Sequence, residues 1–199
     1  MLYIFAALIA VVILRKPSMK LFNIISSSLS GLGNLTESQK ENARLITQAF
    51  ELHGDGDRRK LYYIIATAWH ESWLRPIKEI RANTGTTLRE TQDRYWFTGY
   101  YGRGFVQLTW EDNYRRIGEI VGEDLANNPD RVLEPNIAAK IIVIGMMQGV
   151  FTGKQLSDYI NDTEVDYYGA RRIVNGTDRA GLIQAHAETI ENSTEPHFA

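Results

Sequence analysis

Cysteine is missing from all 199 residues of the chain. That absence removes a disulfide framework, a thiolate metal site and a thiol nucleophile together, although it does not choose a compartment. An excess of charge is missing as well. Lys and Arg number 22 against 24 Asp and Glu, a formal net charge of −2. There is thus no electrostatic reason for a nucleic-acid partner, and none is expected. No repeat or low-complexity tract interrupts the sequence. Its length suits one domain with a substantial core plus an appendage, and is too short for two.

Long apolar runs are limited to residues 1–14, MLYIFAALIAVVIL, which stop at Arg15, Lys16 and Pro17. As a helix this run would be about 21 Å long, short of a hydrocarbon core of about 30 Å. Its positive residues follow the run instead of preceding it, which argues against simple export and leaves topology open. Residues 1–20 are therefore expected to be a membrane anchor or a poorly formed export signal with a basic flank. Residues 21–35, rich in Ser and Gly, read as a linker.

Beyond this linker the pattern turns helical. Thr36 and Gln39 have the form of a capping box, and Ala43, Ile46, Ala49 and Phe50 recur at helical spacing until Gly54. Asp55, Gly56 and Asp57 form a turn; the rest of a twelve-residue calcium loop is missing, so a helix cap is the better reading. Leu61, Ile64, Ile65, Ala68 and Trp69 continue a helix to about Trp73. Further helices are expected over 109–121, over 135–148 behind Pro135, briefly over 156–159, and over 178–191. A strand over 94–97 is expected inside a segment, 81–104, that otherwise reads as loop. Long loops within compact domains are often functional.

His70 and Glu71 at the end of the second helix bring a zinc protease to mind, but that motif needs its second histidine at position 74, which is leucine. His53, His186 and His197 stand at no ligand spacing, so neither metal nor cofactor is expected. What remains is Glu71 between Trp69 and Trp73. A carboxyl beside aromatic walls has its charged form disfavoured and can act as a general acid. The plain alternative is a helix-end glutamate in a surface salt bridge. Glycoside hydrolysis requires a second carboxylate, set farther away in an inverting enzyme so that water fits between. Glu79 and Glu90 are the local candidates.

Four stretches, "WHES", "YYGRGFVQLTWEDNY", "DLANNPDRVLEPNIAAK" and "ARRIVNG", resemble in order and spacing the motifs of glycoside hydrolase family 19, the chitinase and phage-endolysin family of the lysozyme superfamily. The resemblance runs over about 36–191. It implies a mainly α, lysozyme-like catalytic domain over 36–192 with little β structure, and a tail over 193–199. By resemblance Glu71 is the general acid, His70 orders the site, and Thr109 holds the attacking water. Tyr101, Arg103, Gln107 and Asn113 line or brace the sugar cleft, and Arg171 and Asn175 approach from the opposite wall. Phage-type members imply Glu79 as the general base; plant-type members place it nearer Glu90.

Two departures matter. The family's NGG is here Asn175, Gly176 and Thr177, and the segment between Glu71 and Gly102 is short, which implies an open cleft. Together with the apolar N-terminus, this favours a phage-type endolysin acting on the glycan strands of peptidoglycan over a chitinase acting on chitin-like oligosaccharides. Such an enzyme would be a monomer of phage or bacterial origin, anchored or exported at the host inner membrane or periplasm, or associated with a virion. A lytic transglycosylase of the same superfamily and a non-catalytic wall-binding virion component are the alternatives.

Overall fold

The computed structural model describes residues 19–198; the apolar run 1–14 and its basic flank lie outside the described residues. Seven α-helices are found among them: α1 Met19–Ser28, α2 Glu37–His53, α3 Arg58–Ser72, α4 Thr87–Asp93, α5 Glu111–Val121, α6 Pro135–Met147 and α7 Ala180–Thr194. Two short strands, β1 Ile77–Lys78 and β2 Arg103–Gly104, pair antiparallel, with Ile77 opposite Gly104 and Lys78 opposite Arg103. No helix among the described residues is long and apolar enough to cross a membrane.

The core is built around α6. Ile137, Ala138, Ile141, Ile142, Val143, Ile144 and Met146 leave it apolar on every side, the pattern of a helix enclosed by others. It packs against α2, α5 and α3, while α3 packs in turn against α7. The two long helices start as their sequences specify. Thr36 and Gln39 close a capping box on α2. Asp57 caps α3 by accepting from Arg59 N–H, and Asp55 pairs with the buried Lys60. The acidic turn is a cap.

Three sequence expectations are corrected. The supposed linker 21–35 contains most of α1 and a 3-10 turn, Leu29–Leu32, and it buries Ile25 and Leu29 completely against the core. Two such side chains contribute about 1.5–3 kcal/mol each, which a linker would not supply. The strand expected over 94–97 is instead the end of α4 followed by a 3-10 turn, Trp96–Thr98. The expected tail is tied down over its described residues, 193–198, because Glu195 accepts from Arg58 at 2.7 Å and from the Tyr62 hydroxyl at 2.7 Å.

The end of α3 is the part of the fold that sets the site. Trp73 and Leu74 both take left-handed backbone conformations, at φ 54° and 52°, which costs non-glycine residues free energy and persists only where surroundings enforce it. Leu74 is fully buried, and two buried side chains of α2 catch the turn: Gln39 donates to the Trp73 carbonyl at 2.9 Å and Asn42 to the Leu74 carbonyl at 2.8 Å. Glu71 and His70 are thereby held on the last turn of a clamped helix.

Candidate active site

The carboxyl of Glu71 opens into a cleft of about 360 Å³ lined by Val106, Gln107, Leu108, Thr109, Trp110, Asn113, Phe151, Val174 and Asn175. Five of the expected residues, Glu71, Gln107, Thr109, Asn113 and Asn175, therefore share one wall-to-wall space. They come from the end of α3, the loop between β2 and α5, the start of α5, and the turn after a 3-10 segment, Gly169–Ile173. Phe105, Val106 and Leu108 are buried and anchor the loop, so the intervening residues are presented at fixed positions. Thr109 Oγ1 donates to the Gln107 carbonyl at 2.9 Å, and Asn113 Nδ2 to the Thr109 carbonyl at 2.8 Å. Gln107 at φ 53° and Trp110 at φ 76°, ψ 137° are left-handed non-glycine residues in this short loop. Strain of this kind, about 1–3 kcal/mol per residue, concentrates at functional sites.

Glu71 is not enclosed by tryptophan as the sequence led one to expect. Trp69 is buried, Trp73 is largely exposed, and the two rings meet each other edge to face at 4.9 Å. The partner of Glu71 is Arg171, whose Nη1 forms an ion pair with Oε1. The Arg171 side chain is 3% exposed and that of Glu71 19%. Arg171 Nε also donates to the Asp178 carbonyl at 3.0 Å. Arg171 is thus a buried support behind the carboxyl. His70 is half-buried, is not among the cleft-lining residues, and has its pKa lowered, first by burial and then by the cations Arg171 and Arg179, against the opposing pull of Glu71.

Glu79 follows β1 and is held from several sides. Its Oε2 accepts the Gly102 N–H at 2.9 Å, while Oε1 accepts from Gln92 Nε2 at 2.8 Å and Tyr95 Oη at 2.7 Å. Space at Gly102 is tight: a Cβ on it would stand 2.9 Å from Gln107 Oε1 and 3.1 Å from Glu79 Oε2, so both side chains would have to shift. The Gln107 amide of the cleft and the Glu79 carboxylate therefore converge on one glycine. Glu90, the other candidate base, is exposed in the first turn of α4.

Tyr101 and Arg103 are placed elsewhere, beside a second cavity lined by Gly99, Asn128, Pro129, Asp130 and Arg131. The buried Arg103 pairs with Asp130 at 2.7 Å, donates to the Tyr114 hydroxyl at 3.0 Å and lies 3.9 Å over the Tyr101 ring. Tyr101 also stacks on Trp96 at 4.6 Å. Its ring is occupied by these neighbours, so Tyr101 and Arg103 brace the loop and do not line the Glu71 cleft. Sequence reasoning assigned no role to Trp110, Phe151, Val174, Gln92 or Tyr95. Trp110 lay inside a quoted motif, but a left-handed tryptophan leaves no mark in composition. Phe151 is seated against Gly145 of α6, where a Cβ would collide with its ring at 2.2 Å.

Residues 66–149 match the family model described as Chitinase class I, a span that contains Glu71, Glu79, Gln107, Thr109 and Asn113. Over that span, less than half of its length, the chain is similar to glycoside hydrolase family 19. Among curated relatives of this family, the Endochitinase CH25 of Brassica napus is 51% identical over 45 residues, 22% of this chain and 14% of the relative. The Acidic endochitinase pcht28 of Solanum chilense is 44% identical over 72 residues, covering 28% of each. The Inactive chitinase-like protein 1 of Hevea brasiliensis is 58% identical over 33 residues, 17% of this chain and 10% of the relative. The matches thus span less than a third of these relatives' length. Chitinase C from Streptomyces griseus HUT6037 superposes with a TM-score of 0.51 at 22% identity, over 90% of this chain and 91% of that one, which shows a shared fold. The mainly helical architecture with little β structure expected from the sequence is the one found, and it is shared with that chitinase.

Proposed function

We propose that the chain is a glycoside hydrolase that cleaves β-1,4 bonds between N-acetylated amino sugars by acid–base catalysis with inversion. The observation that carries this reading is the cleft in which Glu71, Gln107, Thr109, Asn113 and Asn175 meet. Glu71 serves as general acid to the leaving glycosidic oxygen. It must hold a proton when substrate is bound; once that proton has passed to the leaving oxygen, the carboxylate is left in the ion pair with Arg171. Thr109 Oγ1 commits its own proton to the Gln107 carbonyl, so towards a water it can only accept. It accepts a hydrogen bond from one water O–H and leaves the other O–H for the base to deprotonate. Glu79 is that base, in preference to the exposed Glu90: it does not itself line the Glu71 cleft, but its carboxylate is fixed by Gln92, Tyr95 and Gly102 at the glycine that Gln107 of the cleft also approaches.

Peptidoglycan is the proposed substrate. Residues 175–179, which begin at Asn175 of the cleft, are exposed, and nothing lies within 4 Å of a Cβ built on Gly176, which leaves room for sugars that carry peptide stems. The wall would be met from an anchored, exported or virion-associated position, a reading supported by the apolar run 1–14. Chitin is the second reading, favoured by the endochitinase names of the relatives. Purified protein offered peptidoglycan and chitin oligosaccharides side by side decides between them. New reducing ends are expected from wild type and none from Glu71→Gln. Anhydro ends would mark a transglycosylase instead, and retention on insoluble wall without release would mark a binding protein.

A further inference from the structure

We infer that Gln92 and Tyr95 are positioning residues for the base Glu79, and that they assign its Oε2 as the atom that takes the water proton. This rests on the reading of Glu79 as base. A carboxylate oxygen has two lone pairs in its plane. Oε1 spends both, on Gln92 Nε2 at 2.8 Å and Tyr95 Oη at 2.7 Å. Oε2 spends one, on the Gly102 N–H at 2.9 Å, and keeps one; it and Gln107 Oε1 of the cleft loop both face the position that a Cβ on Gly102 would take.

The two donors are themselves fixed. Gln92 on α4 is 1% exposed. Its amide oxygen accepts the Ala82 N–H at 2.6 Å, and Nε2 also reaches the Ile80 carbonyl at 2.9 Å, so the NH2 group has one orientation. Tyr95 is buried and its ring meets Trp110 edge to face at 5.1 Å. Burial, and then the Glu79 carboxylate, push the Tyr95 phenol above its ordinary range, so it stays a proton-bearing donor. The contact also links the base to the cleft, because Trp110 lines the space into which Glu71 opens. The segment that read as loop is a bracket around one carboxylate.

The test is a double-mutant cycle on the full-length chain with a nitrophenyl glycoside of an N-acetylglucosamine oligomer, whose good leaving group keeps residual rates measurable. Tyr95→Phe removes one oxygen and preserves the ring. It should lower kcat about tenfold or more, the loss expected for one hydrogen bond to a charged group, with KM within about twofold. In a Glu79→Gln background the same substitution should change the residual rate less than about twofold, because residues acting through one another do not add. Gln92→Met, run through the same cycle, should behave alike and stands in if Tyr95→Phe does not fold. Losses that multiply in both backgrounds, or that fall on KM, would overturn the positioning role while leaving Glu79 as base. Full activity of Glu79→Gln alone would overturn the base assignment and the inference with it.

Discussion

Replacing Arg171 by Met tests the pair at the heart of the site. The substitution removes a guanidinium that is 3% exposed and leaves the Glu71 carboxyl, 19% exposed, without its partner. Breaking a buried ion pair by removing one member costs about 3–5 kcal/mol. The lower end applies, since Glu71 reaches the water of the cleft. Loss of the Arg171 bond to the Asp178 carbonyl adds about 1 kcal/mol, for a total of about 4 kcal/mol. For a domain of this size each kcal/mol shifts Tm by about 2–4 °C, so thermal unfolding followed by circular dichroism should move down by about 8–16 °C. Arg171→Met placed on Glu71→Gln should cost less than it does on wild type, because no carboxylate is then stranded. A single Arg171→Met variant that melts within about 2 °C of wild type would refute the reasoning, since it would show the pair to be worth no more than an exposed one.

Three further outcomes are expected. His53, His70 and His186 have pKa values below the ordinary 6.5, in each case first through burial; the unfolded chain therefore takes up protons before the folded one as pH falls, and stability present above about pH 6.5 is lost below it. Urea midpoints at pH 7.5 and 5.5 should show that loss, and His186→Gln should shrink it; an equal drop in both proteins would contradict the assignment. Leu29→Ala should cost about 2–5 kcal/mol in the same assay if α1 belongs to the core, and near-zero cost would restore the linker reading. Gly102→Ala should lower turnover at least about tenfold while overpacking costs about 1–3 kcal/mol, because the new methyl presses on both Gln107 and Glu79; unchanged turnover would separate Gly102 from the site.

Much of the helical frame was legible. The caps at Thr36 and Asp57 and the apolar period of α2, α3 and α6 are local signals, and local physics decides them. Five residues of the Glu71 cleft, Glu71, Gln107, Thr109, Asn113 and Asn175, were named through the family motifs, whereas Trp110, Phe151 and Val174 beside them were not. Three things were hidden because they depend on distant parts of the chain. Ser and Gly between 21 and 35 read as flexible until Ile25 and Leu29 find their pockets. Glu71 seemed destined for tryptophan neighbours in sequence, yet its partner lies a hundred residues on, in Arg171. Tyr101 and Arg103 carry the residue types of a sugar site, but they are spent on each other, Trp96 and Asp130.

The central claim is that Glu71 and Glu79 hydrolyse an amino-sugar polymer as acid and base with inversion. Proton NMR of the first turnovers on a chitin oligosaccharide and on a peptidoglycan glycan fragment tests it most directly. The account predicts α-anomeric reducing ends from wild type on at least one of the two, and none from Glu71→Gln or Glu79→Gln. β-anomeric or anhydro products, or wild-type rates in either variant, would contradict it.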